Sequence, residues 1–166
     1  PVAGTLSAFA VFTVGYLMRP VGAVLLGNIG DRLGRRSMLL WSILLMGIAS
    51  TLIGLLPTYA QIGIFAPIGL VILRMIQGIS VGGEYTGAMT YTAEISPHEH
   101  RGFVSSLASV GALMGLLLGS AVSWLLQSQL SDADLISWGW RLPFLAGFFI
   151  AVAGILIREH LPETES

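Results

Sequence analysis

Four polar side chains interrupt an oily stretch between residues 62 and 92: Arg74, Gln77, Glu84 and Tyr85. At about 100° per residue they fall within about 100° of helical arc, with Val81 and Ala88 between them. Such a stripe suits a water-filled cavity that takes a small solute. Arg74 offers a planar fork that matches a carboxylate, either of a solute or of a proton-carrying group on another helix. A rival reading lets it snorkel to the outer surface. Glu84 can carry a proton or stand in a permanent ion pair. Arg19, in an earlier apolar run, lies at nearly the same depth. Counting back from Asn28 and Glu94 places Arg19 about 13 Å and Glu84 about 15 Å from one edge at 1.5 Å per residue. An Arg19–Glu84 pair is therefore geometrically open if the two helices touch. Ionisable groups at such depth are expensive and are functional candidates by default.

Depth has meaning only if helices cross lipid, and the composition requires that they do. The 166 residues are 54% hydrophobic and 10% charged, where soluble domains carry about 25% charged residues. Mean hydropathy is +0.82. Five apolar segments, about 5–28, 37–56, 62–92, 103–127 and 142–157, match the roughly 20 helical residues that span a bilayer. A β-barrel would show shorter alternating segments. The expected fold is all-α, a polytopic transmembrane helix bundle forming one membrane domain over residues 1–166. The net charge of −1 and the lack of a basic tail give no reason to expect a nucleic-acid partner. Absence of cysteine excludes disulfides and thiolate metal sites. His98 and His100 lack further ligands and read, with His160, as solvated loop residues, so no metal or cofactor is expected. No nucleophile–base set lies at membrane depth, which argues against an enzyme. The chain begins at Pro1 with no basic stretch before its first apolar run, so it reads as a piece of something longer rather than as a signal peptide.

The eight basic residues are all arginine, and three of them fall in the stretch GNIGDRLGRR, residues 27–36. Arg32, Arg35 and Arg36 there, Arg101 after the third span and Arg158 after the fifth all lie on one side of a five-span chain. Only Arg141 lies in the opposite connections, so that side is cytoplasmic by the positive-inside bias. Gly27, Gly30 and Gly34 are expected to give tight backbone approach and positive φ. Asp31 can cap a helix or pair with arginine. A topology signal is one reading of this cluster. The other is a latch of charge-assisted bonds to carboxylates on a neighbouring helix, broken together when helices slide.

GNIGDRLGRR resembles the cytoplasmic loop signature of the major facilitator superfamily, with Gly27, Asp31, Arg32, Gly34, Arg35, Arg36 and Leu39 in the matching places. Ile29 and Gly30 depart from it mildly. Leu70, Arg74, Gln77 and Gly78 resemble the fourth-helix signature, and YTAEISPHEHRG from Tyr91 resembles the link after it through Glu94, Pro97, Arg101 and Gly102. GGEYTGA from Gly82 and WGWRLPF from Trp138 are similar to the metabolite:proton symporter group, whose carriers move dicarboxylates, citrate, shikimate, and proline or betaine. Sugar porters share the Tyr91–Gly102 pattern and a Pro-Glu-Thr like Pro162–Thr164.

The resemblance implies helices two to six of a twelve-helix transporter in a bacterial inner membrane, the N-terminal six-helix half without its first helix. The first helix and the C-terminal half are then implied partners. So are a small organic acid or zwitterion as substrate, and protons as coupling ions. Arg74, Gln77, Glu84 and Tyr85 would line the path with Arg19 as a buried partner. The residues of GNIGDRLGRR would gate it together with Glu94 and Arg101. A sugar-porter-like carrier, a non-transporting sensor on the same scaffold and a purely structural subunit remain as alternatives. Gly111, Gly115 and Gly119 form a small-residue ridge expected to pack against another helix. Trp138, Trp140 and Tyr59 are expected at the outer interface. The uncharged second span is expected to be the most lipid-exposed.

Overall fold

The computed structural model describes residues 2–160, with side chains from Gly4 onward; Pro162–Thr164 lie outside the described residues. The described elements are α1 (Val2–Leu17), α2 (Arg19–Leu33), α3 (Arg35–Leu55), α4 (Tyr59–Ile62), α5 (Phe65–Ile95), α6 (Arg101–Gln129), α7 (Asp132–Ser137), a 3₁₀ turn (Gly139–Arg141) and α8 (Leu142–Arg158). Among the described residues, five stretches are long and apolar enough to cross a membrane: Gly4–Leu33, Arg35–Leu55, Phe65–Ile95, Arg101–Gln129 and Gly139–Arg158. The first is α1 and α2 joined through a break at Met18. Pro20 causes it, because it has no N–H for the carbonyl one turn back and its ring crowds that turn.

The bundle is organised around α5, which packs on α1, α2, α3 and α6, while α3 also packs on α8. Backbone meets backbone where α1 and α2 cross α5. A Cβ added to Gly78 would lie 1.9 Å from the Gly15 carbonyl oxygen, and one on Gly82 would lie 2.0 Å from that of Arg19. One on Gly22 would lie 2.0 Å from the Ile79 oxygen. Small residues at these crossings permit close dispersion contact, which drives helix association where lipid supplies no hydrophobic force.

The second span is not the most lipid-exposed. It is the most buried of the five, with 39% of its apolar window inside the bundle against none for α6. Ala49 and Ile53 of α3 join Leu73 of α5 in the core, where Leu56, Trp140 and Phe144 pack against them. Ala151 of α8 seats against Gly47, and Leu145 and Phe144 against Gly54. Lack of charge fitted this helix for protein as well as for lipid, and its small residues decided the matter. At the α6 ridge, a Cβ on Gly111, Gly115 or Gly119 would meet nothing within 4 Å among the described residues. Trp140 likewise belongs to the core edge, stacked edge-on to Phe144 at 6.2 Å, while Trp138 and Tyr59 are exposed.

Candidate functional site

At the Arg35 end of the bundle, α2 stays helical through Leu33 and the chain reverses at Gly34 alone, with φ 90°. Of the three glycines expected to supply the turn, only Gly34 adopts positive φ. Gly30 is helical and close-packed, its Cβ position 2.9 Å from Met38 Sδ, and Gly27 has open space around it. Arg35 Nη1 pairs with Asp31 Oδ1 at 2.7 Å, and Arg35 Nε with Glu94 Oε1 at 3.2 Å. The loop and the end of α5 are thereby joined. Arg36 donates from Nε to the Arg158 carbonyl at 3.2 Å and from Nη2 to that of Glu159 at 2.5 Å. The segments that the arginine count assigned to one side of the membrane therefore meet in space. Arg101 does not reach this cluster: its Nε donates to the Ser96 carbonyl within its own turn, at 3.3 Å. Arg32 is exposed and makes no ion pair among the described residues.

Further into the bundle lies the α5 stripe. Arg74, Gln77, Val81, Glu84 and Tyr85 all line cavities, and Gln77 and Glu84 also bond to α3. Gln77 is 9% exposed. Its Oε1 accepts from Arg74 Nη1 at 3.2 Å and its Nε2 donates to Ser50 Oγ at 2.8 Å. Gln77 thus tethers the guanidinium of Arg74, which lies 5.7 Å from the Phe144 ring. A cavity of about 220 Å³ lies here, lined by Arg74, Gln77, Arg19, Tyr16, Met46 and Val81 among others. Among the described residues, no acidic side chain lines it. A second cavity, of about 650 Å³, is lined by Glu84 and Tyr85 and shares Met46 and Val81 with the first. Tyr85 exchanges a hydrogen bond with Ser109 of α6 at 3.2 Å.

Arg19 and Glu84 do not pair. The helices do touch and the depths do match, since Gly82 packs on the Arg19 backbone. Glu84, however, is two residues beyond Gly82, about 200° round the helix, and so points away from α2. Arg19 instead lies over the Tyr16 ring, 4.2 Å from its centroid. The partner of Glu84 is Arg158, whose Nη2 pairs with Oε1, while Ser42 Oγ donates to Oε2 at 2.9 Å. Arg158 Nη1 also donates to the Leu39 carbonyl at 2.6 Å. Ser80 Oγ donates to the Ser42 carbonyl at 2.6 Å, fastening α5 to α3 beside this group.

Sequence reasoning passed over Ser42, Ser50, Ser80 and the inward reach of Arg158. The two α3 serines lie about 80° apart on one helix face, which was a legible signal. Arg158 was counted with the tail, although it ends α8 and its side chain folds back along α3. Arg141, read as the outer charge of WGWRLPF, caps α3 from the opposite end. Its Nη1 donates to the carbonyls of Gly54 at 2.8 Å and Leu56 at 2.9 Å.

The chain matches the sugar (and other) transporter family over residues 4–166. It is 45% identical to the shikimate transporter of Escherichia coli K12 over 164 residues, 99% of this chain and 37% of that protein. It is 42% identical to the proline/betaine transporter of the same organism, covering 99% of this chain and 33% of that one. The chain thus spans about a third of the length of these curated relatives. Among solved structures, the inward open conformation of the xylose transporter XylE from E. coli superposes with a TM-score of 0.82 at 23% identity. That superposition covers 91% of this chain and 36% of XylE, and at such identity it shows the fold alone.

Proposed function

This chain belongs to the sugar (and other) transporter family within the major facilitator superfamily, and we propose that it forms part of a secondary active transporter for small carboxylate-bearing solutes. The observation that carries this reading is the cavity lined by Arg19 and Arg74, with no acidic side chain in its wall among the described residues. Charge at membrane depth calls for a counter-charge or a route to water. Gln77 occupies one donor of the Arg74 fork, and the remainder suits a carboxylate.

The names of the relatives support the same class, because shikimate, proline and betaine all carry a carboxylate. A neutral sugar as substrate has the shared fold in its favour and the charge of the cavity against it. The transport cycle is alternating access, with this bundle rocking against a second half about a site near the midplane. Symport with protons is the coupling. Arg35, Asp31 and Glu94 form the cytoplasmic latch. The membrane is a bacterial inner membrane, in line with the bacterial relatives.

The test is uptake of radiolabelled shikimate, proline and betaine by cells producing the full-length protein or its Arg74→Ala variant. Loss of uptake with unchanged membrane levels supports the assignment. Normal uptake by the variant removes Arg74 from the site.

A further inference from the structure

Glu84 and Arg158 sit on helices whose backbones hardly approach each other. α5 and α8 each pack extensively on α3, and the ion pair links them across it. Arg158 is in turn held by its surroundings: Nη1 on the Leu39 carbonyl, and its own carbonyl on Arg36 Nε. Arg36 is the chain neighbour of Arg35, which binds Glu94. Adjacent residues in the first turn of α3 therefore grip α5 at two heights. Arg35 does so directly at Glu94, and Arg36 does so through Arg158 at Glu84, ten residues or about 15 Å further in.

We propose that Arg158 is a positioning residue that couples the Gly34 loop to the middle of α5, so that movement of the charged loop and movement of the α5 stripe are one event. Several features make the link stiff. Glu84 is fastened on both oxygens, one by Arg158 and the other by Ser42. Ser80 bonds the Ser42 backbone, so the carboxylate cannot shift without α3. Arg74 lies another ten residues, again about 15 Å, beyond Glu84. The coupling therefore acts on the change of access rather than on solute binding at the arginine cavity. Assaying it by uptake rests on the transporter reading above.

The experiment measures uptake kinetics and membrane levels of the full-length protein carrying Arg158→Gln, Arg158→Lys, Arg36→Gln or Arg36→Gln with Arg158→Gln. Arg158→Gln is expected to lower Vmax about tenfold, a usual size for coupling between sites, with KM within about twofold of the parent. Arg158→Lys, which keeps the charge on Glu84, is expected to recover most of the loss. The two Gln substitutions together are expected to be no worse than the more severe alone, because both cut one path. Unchanged Vmax, a loss expressed in KM, no recovery by lysine, or losses that multiply would each overturn the proposal.

If Arg158→Gln fails to reach the membrane, the neutral pair Glu84→Gln with Arg158→Gln replaces it, since it strands no charge. Wild-type Vmax in that pair, or its failure to insert, would likewise overturn the proposal. If the parent protein moves none of the solutes, the transporter reading fails separately. Amide exchange across residues 81–87 then decides the coupling: faster exchange in Arg36→Gln supports it, and no change overturns it.

Discussion

Gly78 sits where the first and third spans cross, and replacing it with alanine probes how tightly the two arginines are set. The added Cβ would lie 1.9 Å from the Gly15 carbonyl oxygen, 2.8 Å from its carbonyl carbon and 3.1 Å from Met18 Cβ. An ordinary carbon–oxygen contact is about 3.3 Å, so the helices must part by about 1.4 Å. The obstacle is backbone on both helices and cannot swing aside as a side-chain tip would. Overpacking of this sort costs about 1–3 kcal/mol, and an immovable neighbour favours the upper end. The functional effect should be larger than the loss of stability. Arg19 and Arg74 stand on opposite sides of this crossing and share one cavity. A displacement of about 1 Å at a positioning contact can cost on the order of 10²-fold. The assay is uptake at matched membrane levels, with Gly69→Ala as comparison, where the Cβ meets only the tip of Leu56 at 3.2 Å. Gly78→Ala is expected to lose at least tenfold in uptake and Gly69→Ala less than twofold. Equal, near-parental uptake by both would refute the argument that this crossing sets the arginine cavity.

Arg141→Ala removes two charged hydrogen bonds from the end of α3. At about 1.5–3 kcal/mol for a bond to a charged group, it should lower the thermal unfolding midpoint in detergent clearly, and an unchanged midpoint would deny the cap. Glu94→Gln breaks the Arg35 bridge at a site where Arg35 keeps Asp31. Both partners are partly exposed, so the effect is about 1 kcal/mol or less. It should shift the balance of access states up to about fivefold, read by thiol labelling of a single introduced cysteine on the cytoplasmic side. No shift would leave the bridge without a gating role.

Much of this was legible in the residues, because membrane burial imposes simple arithmetic. Segment length found the five spans, and arginine placement grouped Arg35, Arg36 and Arg158 at one end. Depth counting correctly brought Arg19 level with the Gly82–Glu84 turn. It failed to name the partner of Glu84 because depth is one coordinate and direction round the helix is another. Gly82 and Gly78 mark the face of α5 that meets the first span, and reading them would have turned Glu84 towards α3. The second span was misjudged for a related reason. An uncharged helix suits lipid or protein equally, and the choice lay in Gly47, Ala49 and Gly54, which admit neighbours closely. Ser42 and Ser50 showed a shared face of α3, but the partners of Ser42, Ser50 and Ser80 come from a helix far away in sequence.

The central claim is that the arginine cavity serves a carboxylate carried across the membrane with protons. Purified full-length protein in sealed liposomes, given labelled shikimate, proline or betaine with and without an inward pH gradient, tests it most directly. The account predicts accumulation of at least one of these solutes that depends on the gradient, is competed by its carboxylate analogues, and is not competed by the matching carboxamides. Absence of gradient-dependent uptake, or equal competition by the carboxamides, would contradict it.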